Sequence, residues 1–216
     1  MIKSNTCKRK LMVILFCVIF VLVLSACNLS RHSDNQEALG GTTSNNSDQV
    51  YSFVIPKSLF GGGTAEAVID DYTNPNNTFL LKSGEEIPVY EMISDAELNE
   101  DGTVTCFFTA DQLERFRLFL YDTASLDAYI NSEERTAIKR TEFSNDDLTD
   151  IVVYVDSDTY ENSGRDGIFA NVYATTYMGL YQVMSGVDPY EWKVHVTVKD
   201  YKTNGIVTED YYPTDR

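Results

Sequence analysis

The chain has 216 residues and a formal net charge of −16, with 33 Asp and Glu against 17 Lys and Arg. This acidic balance argues against nucleic-acid binding, which needs a positive surface facing the phosphates. It also argues against electrostatic adhesion to an anionic membrane. Solubility through self-repulsion explains the charge most simply, and attraction to cations or to a basic partner is the alternative.

The N-terminus has the three zones of an export signal. Four basic residues within 1–10 precede an apolar run, 11–24, and the small residues Ser25 and Ala26. The run has 14 residues, whereas a membrane-spanning helix needs about 20, so cleavage is favoured over a permanent span. Small residues directly before Cys27 resemble the lipobox of bacterial lipoproteins. That resemblance implies a signal peptide over 1–26 and a diacylglycerol on Cys27; an ordinary secretory signal is the alternative.

The mature chain divides into a tether and one domain. Residues 27–49 are small and polar, which predicts a flexible tether with a reach of roughly 25 Å. Residues 50–216 are enough for a single globular domain. Loss of 1–26 leaves 13 Lys and Arg against 33 Asp and Glu, a net charge of −20. Cys106 is then the one cysteine of the domain, so packing rather than a disulfide must stabilise it.

The first half of the domain alternates strand and turn signals. Val50–Ile55 predicts a strand that Pro56 ends, and Ala65–Asp71 predicts one or two turns of helix. Residues 72–86 are rich in turn formers and predict mostly loop, followed by a strand over Val89–Ile93.

The next segments carry clearer signals. Thr103–Phe108 alternates as a strand, and Thr109 with Gln112 fits a capping box that opens a helix to about Asn131. Two further strands, Ala137–Phe143 and Asp150–Val155, predict a hairpin.

A second helix and a final hairpin complete the chain. Asp158–Glu161 fits another capping box, and the following helix is predicted to reach Ser185, weakened at Gly164 and Gly167. Gly186 is the expected C-cap.

Trp192–Asp200 is the clearest strand. Val194, Val196 and Val198 are expected to face the core, and His195 and Thr197 to face solvent. Asn204-Gly205 then predicts a hairpin turn into a closing strand, Ile206–Tyr212.

Together these elements predict an α+β fold. From residue 103 the order is β-α-β-β-α-β plus an extra strand, which favours a split βαβ, ferredoxin-like arrangement. One apolar stripe per long helix places both helices on one face of a mostly antiparallel sheet, with extra strands at both ends.

Several segments resemble a family of uncharacterised surface lipoproteins of Gram-positive bacteria. They are Ile55–Phe60, Glu100–Val104, Asp158–Asn162, Gly186–Val194 and Tyr212-Pro213. The resemblance implies an extracytoplasmic, lipid-anchored domain of this fold and no assigned activity. The segment from Asn74 to Pro88 departs from it.

No catalytic set or metal motif emerges from the sequence. His195 as a general base and Cys106 as a nucleophile lack partners nearby in sequence, so a strand histidine and a core thiol are favoured. Glu97–Gly102 lacks the closing glutamate of a calcium loop, and helix capping accounts for Asp158 and Glu161. No cofactor is expected, and paired carboxylates of the glycosidase type stay open.

Tyrosines are the remaining unusual feature, with 14 in the chain. Tyr173, Tyr177 and Tyr181 fall four apart on one helix ridge. They are expected to line a helix–sheet boundary, and an aromatic surface for a glycan or peptide is the alternative.

The leading hypothesis is therefore a non-catalytic binding module, held to the lipid bilayer through Cys27 and binding an envelope protein or glycan. An enzyme or enzyme inhibitor acting on envelope polymers is the alternative.

Overall fold

The computed structural model describes residues 49–131 and 137–214. Nine strands occur in these ranges: β1 Val50–Ile55, β2 Thr78–Leu80, β3 Glu86–Pro88, β4 Asp95–Leu98, β5 Val104–Thr109, β6 Ile138–Phe143, β7 Asp150–Val155, β8 Val194–Asp200 and β9 Ile206–Tyr212. The α-helices are α1 Ala65–Thr73, α2 Val89–Met92, α3 Ala110–Ala124, α4 Asp127–Ile130, α5 Ser157–Tyr160, α6 Gly164–Ile168 and α7 Ala174–Met184. A 3-10 turn covers Lys57–Leu59, and a π-helical segment, Phe169–Tyr173, joins α6 to α7. The α+β class is confirmed.

The strands form two principal sheets. The first is antiparallel with β5 between β1 and β4, and the second has the order β6-β7-β8-β9 with β7 and β8 parallel. A third pair, β2 and β3, forms a small hairpin. The predicted ferredoxin-like order is not confirmed, because β5 pairs with β1 and β4 rather than joining the strands that follow it.

The core of the first sheet follows its alternating sequence. Val104, Cys106 and Phe108 of β5 are fully buried, and Phe108 contacts Phe116 of α3 with ring centroids 5.3 Å apart. Phe79 of β2 also contacts Phe116, with ring centroids 5.7 Å apart. These edge and tilted ring contacts add to the free energy of burying the rings.

Helix α3 begins where the sequence predicts. Thr109 accepts a hydrogen bond from the Gln112 amide, and the Gln112 side chain accepts one from the Thr109 amide, which completes the capping box. The helix ends at Ala124 rather than at Asn131, because Leu126 has a left-handed backbone with φ of 58°. Leu126 is buried, so its side chain enters the core from that turn.

Helix α7 contacts both principal sheets. It packs against α3, against β1 and the Lys57–Leu59 turn, and against β8 of the second sheet. Gly179 permits this close approach: a Cβ placed there would lie 2.6 Å from Leu59 Cδ2 and 2.9 Å from Trp192 Cε3. Gly186, with φ of 97°, follows the helix as predicted.

Two other predictions require correction. Val89–Ile93 is not a strand: Val89 and Met92 are both buried one helical turn apart, within α2. The second capping box does not form, since α5 begins at Ser157, after Asp156 as N-cap, and ends before Glu161.

The long helix predicted to reach Ser185 is divided into α5, α6, the π-helical segment and α7. Within the described ranges, no helix is both long enough and apolar enough to cross a membrane. The predicted signal 1–26, Cys27 and the predicted tether up to residue 48 lie outside the described residues.

Candidate functional site

The second sheet has helices on one face and an open face on the other. Val194, Val196 and Val198 of β8 are buried beneath the helices. Successive strand residues point to opposite faces, so the residues between these valines face outward with their cross-strand neighbours. We call this surface the open face. It is defined by Asp150, Tyr154, His195, Thr197, Glu209 and Tyr211.

His195 lies at the centre of three strands on the open face. Strand register places it beside Asp150 of β7 and Tyr211 of β9. Its Nδ1 lies 3.0 Å from Asp150 Oδ1, and its Nε2 lies 2.9 Å from Glu209 Oε1. The imidazole is therefore held at both nitrogens by carboxylates from the neighbouring strands.

The two hydrogen bonds limit the ability of the His195 ring to donate and accept protons. A neutral imidazole has one donor nitrogen, whereas the imidazolium form donates from both. Two carboxylate acceptors on opposite sides of the His195 ring therefore match the imidazolium form. They also leave neither nitrogen open as a proton acceptor.

Two neighbouring side chains hold the Asp150 carboxylate in place. Thr149 Oγ1 donates to Asp150 Oδ2 at 2.6 Å, and Asn145 Nδ2 donates to the same oxygen at 3.1 Å. The Thr149 hydrogen bond is the largest cause of a lowered Asp150 pKa, to which His195 and Asn145 contribute while burial opposes it. These bonds to the carboxylate favour its charged form.

Tyr211 covers the His195 ring. The two rings are parallel, with centroids 4.3 Å apart and an angle of 2° between their planes. Tyr211 is nevertheless 65% exposed. An aromatic side chain of this kind offers a large apolar surface at a low conformational cost on binding, because it is already positioned.

A second stacked pair continues the open face toward β6. The Arg140 guanidinium lies 3.5 Å from the centroid of the Tyr154 ring. Arg140 also forms an ion pair with Glu142, which accepts a hydrogen bond from the Tyr154 hydroxyl at 2.9 Å. The open face therefore carries a His195–Tyr211 ring stack and an Arg140–Tyr154 cation–π stack, each beside carboxylates.

Thr197, His195 and Asp150 follow the order of a nucleophile, a base and an orienting acid. Thr197 Oγ1 lies 3.4 Å from His195 Nε2, a longer distance than the 2.9 Å to Glu209. Thr197 is also only 8% exposed, so the expectation that it faces solvent is wrong. Glu209 thus takes the nitrogen that a nucleophile needs, and the side-chain order alone does not make a catalytic triad.

A shallow pocket of about 320 Å³ lies at the carboxyl ends of β7 and β8. Its central Asp200 accepts hydrogen bonds from Ser157 Oγ at 2.8 Å and from Thr203 Oγ1 at 2.9 Å. These bonds lower the Asp200 pKa, with Ser157 the largest cause. Lys202, at the rim, pairs with Asp156 at 3.2 Å. Asp200, Ser157 and Thr203 are therefore engaged with one another, and Lys202 is engaged by Asp156.

The other residues singled out in the sequence do not converge on the open face. Cys106 is fully buried, and burial raises the pKa of its thiol, which disfavours the reactive thiolate. Asp101 caps the turn before β5 by accepting from the Thr103 amide. Across 49–131 and 137–214, no group of three or more His, Cys, Asp or Glu side chains is arranged to hold a metal ion.

The tyrosine ridge packs into the protein rather than forming a platform. Tyr177 is 5% exposed, and its ring contacts Phe119 at 6.0 Å and Tyr173 at 4.7 Å between centroids. Burial raises the Tyr177 pKa to about 12. Tyr173 is half-buried, and Tyr181 is half-buried beside Tyr121 of α3. The favoured expectation of buried rings therefore fits Tyr177, although its contact is with helix α3, and Tyr173 and Tyr181 are only half-buried.

Sequence reasoning placed His195 on the outer side of its strand but missed its partners. Asp150, Glu209 and Tyr211 lie 45, 14 and 16 positions away in the chain, and strand register alone brings them together. The alternation of β9 gave the one available signal, since it puts Glu209 and Tyr211 on a common side.

Comparison with known proteins yields no relative. No protein-family profile, no curated protein and no solved structure matches the chain.

Proposed function

We propose that the chain is a lipid-anchored, non-catalytic binding module on the extracytoplasmic face of a bacterial membrane, with the open face as its ligand surface. The signal pattern that ends at Cys27 supports the location, and two acyl chains give stable anchoring. The tether of 27–49 then provides the reach to meet a partner in the cell envelope.

One observation carries the binding role: the exposed Tyr211 ring stacked on a fixed His195. Asp150 and Glu209 hold the imidazole on both sides, so the aromatic pair needs little ordering when a ligand binds. Tyrosine and arginine are the residue types that dominate protein–protein interfaces, and Arg140 lies on the same surface. We therefore favour an envelope protein over a glycan as the ligand.

The experiment is affinity capture from native envelopes with the full chain in detergent. Tyr211→Ala is compared with Tyr90→Ala, because Tyr90 is also exposed, at 59%, but lies on α2 away from the second sheet. Proteins retained by the unmodified chain and by Tyr90→Ala should be lost with Tyr211→Ala. Equal retention by all three proteins would contradict a role for the open face.

A hydrolytic enzyme is the second candidate, and the Thr197–His195–Asp150 order is the observation that favours it. Such an enzyme requires Glu209 to leave Nε2 so that the imidazole can accept the hydroxyl proton of Thr197. A fluorophosphonate probe separates the two functions, since it labels an activated hydroxyl. Labelling that disappears in Thr197→Ala would favour the enzyme, whereas a binding module gives no labelling.

A further inference from the structure

Strand β9 forms an edge of the second sheet. The order β6-β7-β8-β9 leaves one side of β9 without a paired strand among the described residues. The strand is seven residues long and contains no proline and no basic residue; its two charged residues, Glu209 and Asp210, are both acidic. A register shift between Val198 and Lys199 affects the start of β9, and the pairing from Thr208 to Tyr212 is regular.

The hydrogen-bond pattern shows which groups of β9 face outward. The His195 amide donates to the Thr149 carbonyl at 2.7 Å, so His195 and Thr197 direct their backbone groups toward β7. The intervening Val194, Val196 and Val198 therefore direct theirs toward β9, because backbone groups alternate along a strand.

The partners of these valines across the ladder are Tyr212, Asp210 and Thr208. It follows that Glu209 and Tyr211 direct their N–H and C=O groups to the unpaired side. These are the same two residues whose side chains belong to the open face.

We propose that β9 receives an additional strand from a partner protein, and that this strand is an extended segment bearing lysine or arginine. The proposal deepens the proposed function by naming the class of partner, and it rests on that function. Main-chain hydrogen bonds to Glu209 and Tyr211 supply affinity, and side chains of the added strand supply specificity.

Charge distinguishes the two possible occupants of this sheet edge, a basic strand from a partner and a second copy of β9. Glu209 and Asp210 are adjacent acidic residues on β9, and opposite charges across a strand pair are favourable whereas like charges are not. A second copy of β9, paired antiparallel about either residue, would bring acidic side chains face to face. The net charge of −16 opposes self-association further. A basic segment complements both the acidic residues of β9 and the negative net charge of the chain.

The test uses the full chain in detergent and a short synthetic peptide in which lysine and threonine alternate. Binding is measured by titration, and hydrogen exchange reports protection of the Glu209 and Tyr211 amides. A peptide with glutamate in place of lysine is the charge control. The lysine peptide should bind at least tenfold more tightly than the glutamate peptide, less so at high salt, and should slow exchange at both amides.

The variants Glu209→Pro and Glu209→Ala isolate the backbone contribution. Both remove the carboxylate, and only proline removes the outward N–H, which an edge strand tolerates. Affinity for the lysine peptide should be at least fivefold lower for Glu209→Pro than for Glu209→Ala. Equal affinities, or protection confined to amides outside β9, would overturn strand addition.

A peptide methylated on every backbone nitrogen, so that neither of its edges can donate, repeats the test with the unmodified chain, and a proline variant that misfolds does not decide the matter. The methylated peptide should lose binding, and undiminished binding would contradict the proposal. Failure of the lysine peptide while affinity capture still depends on Tyr211 would reject strand addition and leave the binding module standing. If the lysine peptide does not bind and affinity capture does not depend on Tyr211, both strand addition and the proposed binding function are rejected.

Discussion

Replacing Gly179 by alanine tests the close packing that joins the two sheets. The new Cβ would lie 2.6 Å from Leu59 Cδ2 and 2.9 Å from Trp192 Cε3, so both of these side chains, or α7 itself, would have to move. Over-packing of this kind costs about 1–3 kcal/mol, and the better helix propensity of alanine returns up to about 1 kcal/mol. We expect a net loss of about 1–2 kcal/mol in the free energy of unfolding.

Gly167→Ala is the matched control in the neighbouring helix α6. Its Cβ would meet only the Tyr160 hydroxyl at 3.8 Å, an ordinary contact. We expect this variant to gain about 0.5–1 kcal/mol, because alanine reduces the freedom of the unfolded chain.

Urea unfolding of the full chain in detergent measures both variants. Trp192 is the one tryptophan and is 4% exposed, so its fluorescence reports on the contact under test. Unchanged or increased stability of Gly179→Ala, with Gly167→Ala behaving as expected, would show that α7 does not approach Leu59 and Trp192 this closely.

Three further changes have expected outcomes. Thr109→Ala should lower the free energy of unfolding by about 1 kcal/mol, because the Gln112 amide loses its cap; urea unfolding measures it. Burial raises the Asp71 pKa to about 7, with Asp70 adding to the shift. The Asp71 carboxyl therefore stays protonated to a higher pH in the folded state than in the unfolded state. As a result, the free energy of unfolding falls as pH rises from about 4 to 7. Asp71→Asn should remove that fall, gaining roughly 1–3 kcal/mol at about pH 8 after allowance for partial exposure and nothing at about pH 4; an unchanged pH profile would contradict it. Cys27→Ala should release the protein from membranes or leave it unprocessed, and labelled palmitate entering the variant would refute lipidation.

The local elements were largely predictable from the sequence. The alternation in β5 and β8 and the Thr109–Gln112 capping box identify their elements because the signals lie within a few residues. The break at Leu126 was not predictable, since a buried leucine with φ of 58° carries no turn signal and tertiary packing imposes it. The predicted strand over Val89–Ile93 is wrong because a short, largely apolar segment after a proline fits a helical turn equally well.

Sheet membership and the site required long-range information. Both β5 and β7 alternate in the same way, so nothing local shows that they belong to different sheets. The cluster around His195 depends on two registers, β7 with β8 and β8 with β9, and a shift of one residue in either would move Asp150 or Tyr211 to the opposite face.

Site-specific photo-crosslinking in intact cells tests the binding role of the open face most directly. A benzophenone amino acid replaces Tyr211 in one protein and Tyr90 in the other, since both side chains are well exposed, at 65% and 59%. We predict a light-dependent adduct with a protein at position 211, reduced when Glu209→Pro is combined with it, and none at position 90. Adducts of equal yield at both positions, or none at position 211, would contradict the assignment of the open face as the ligand surface.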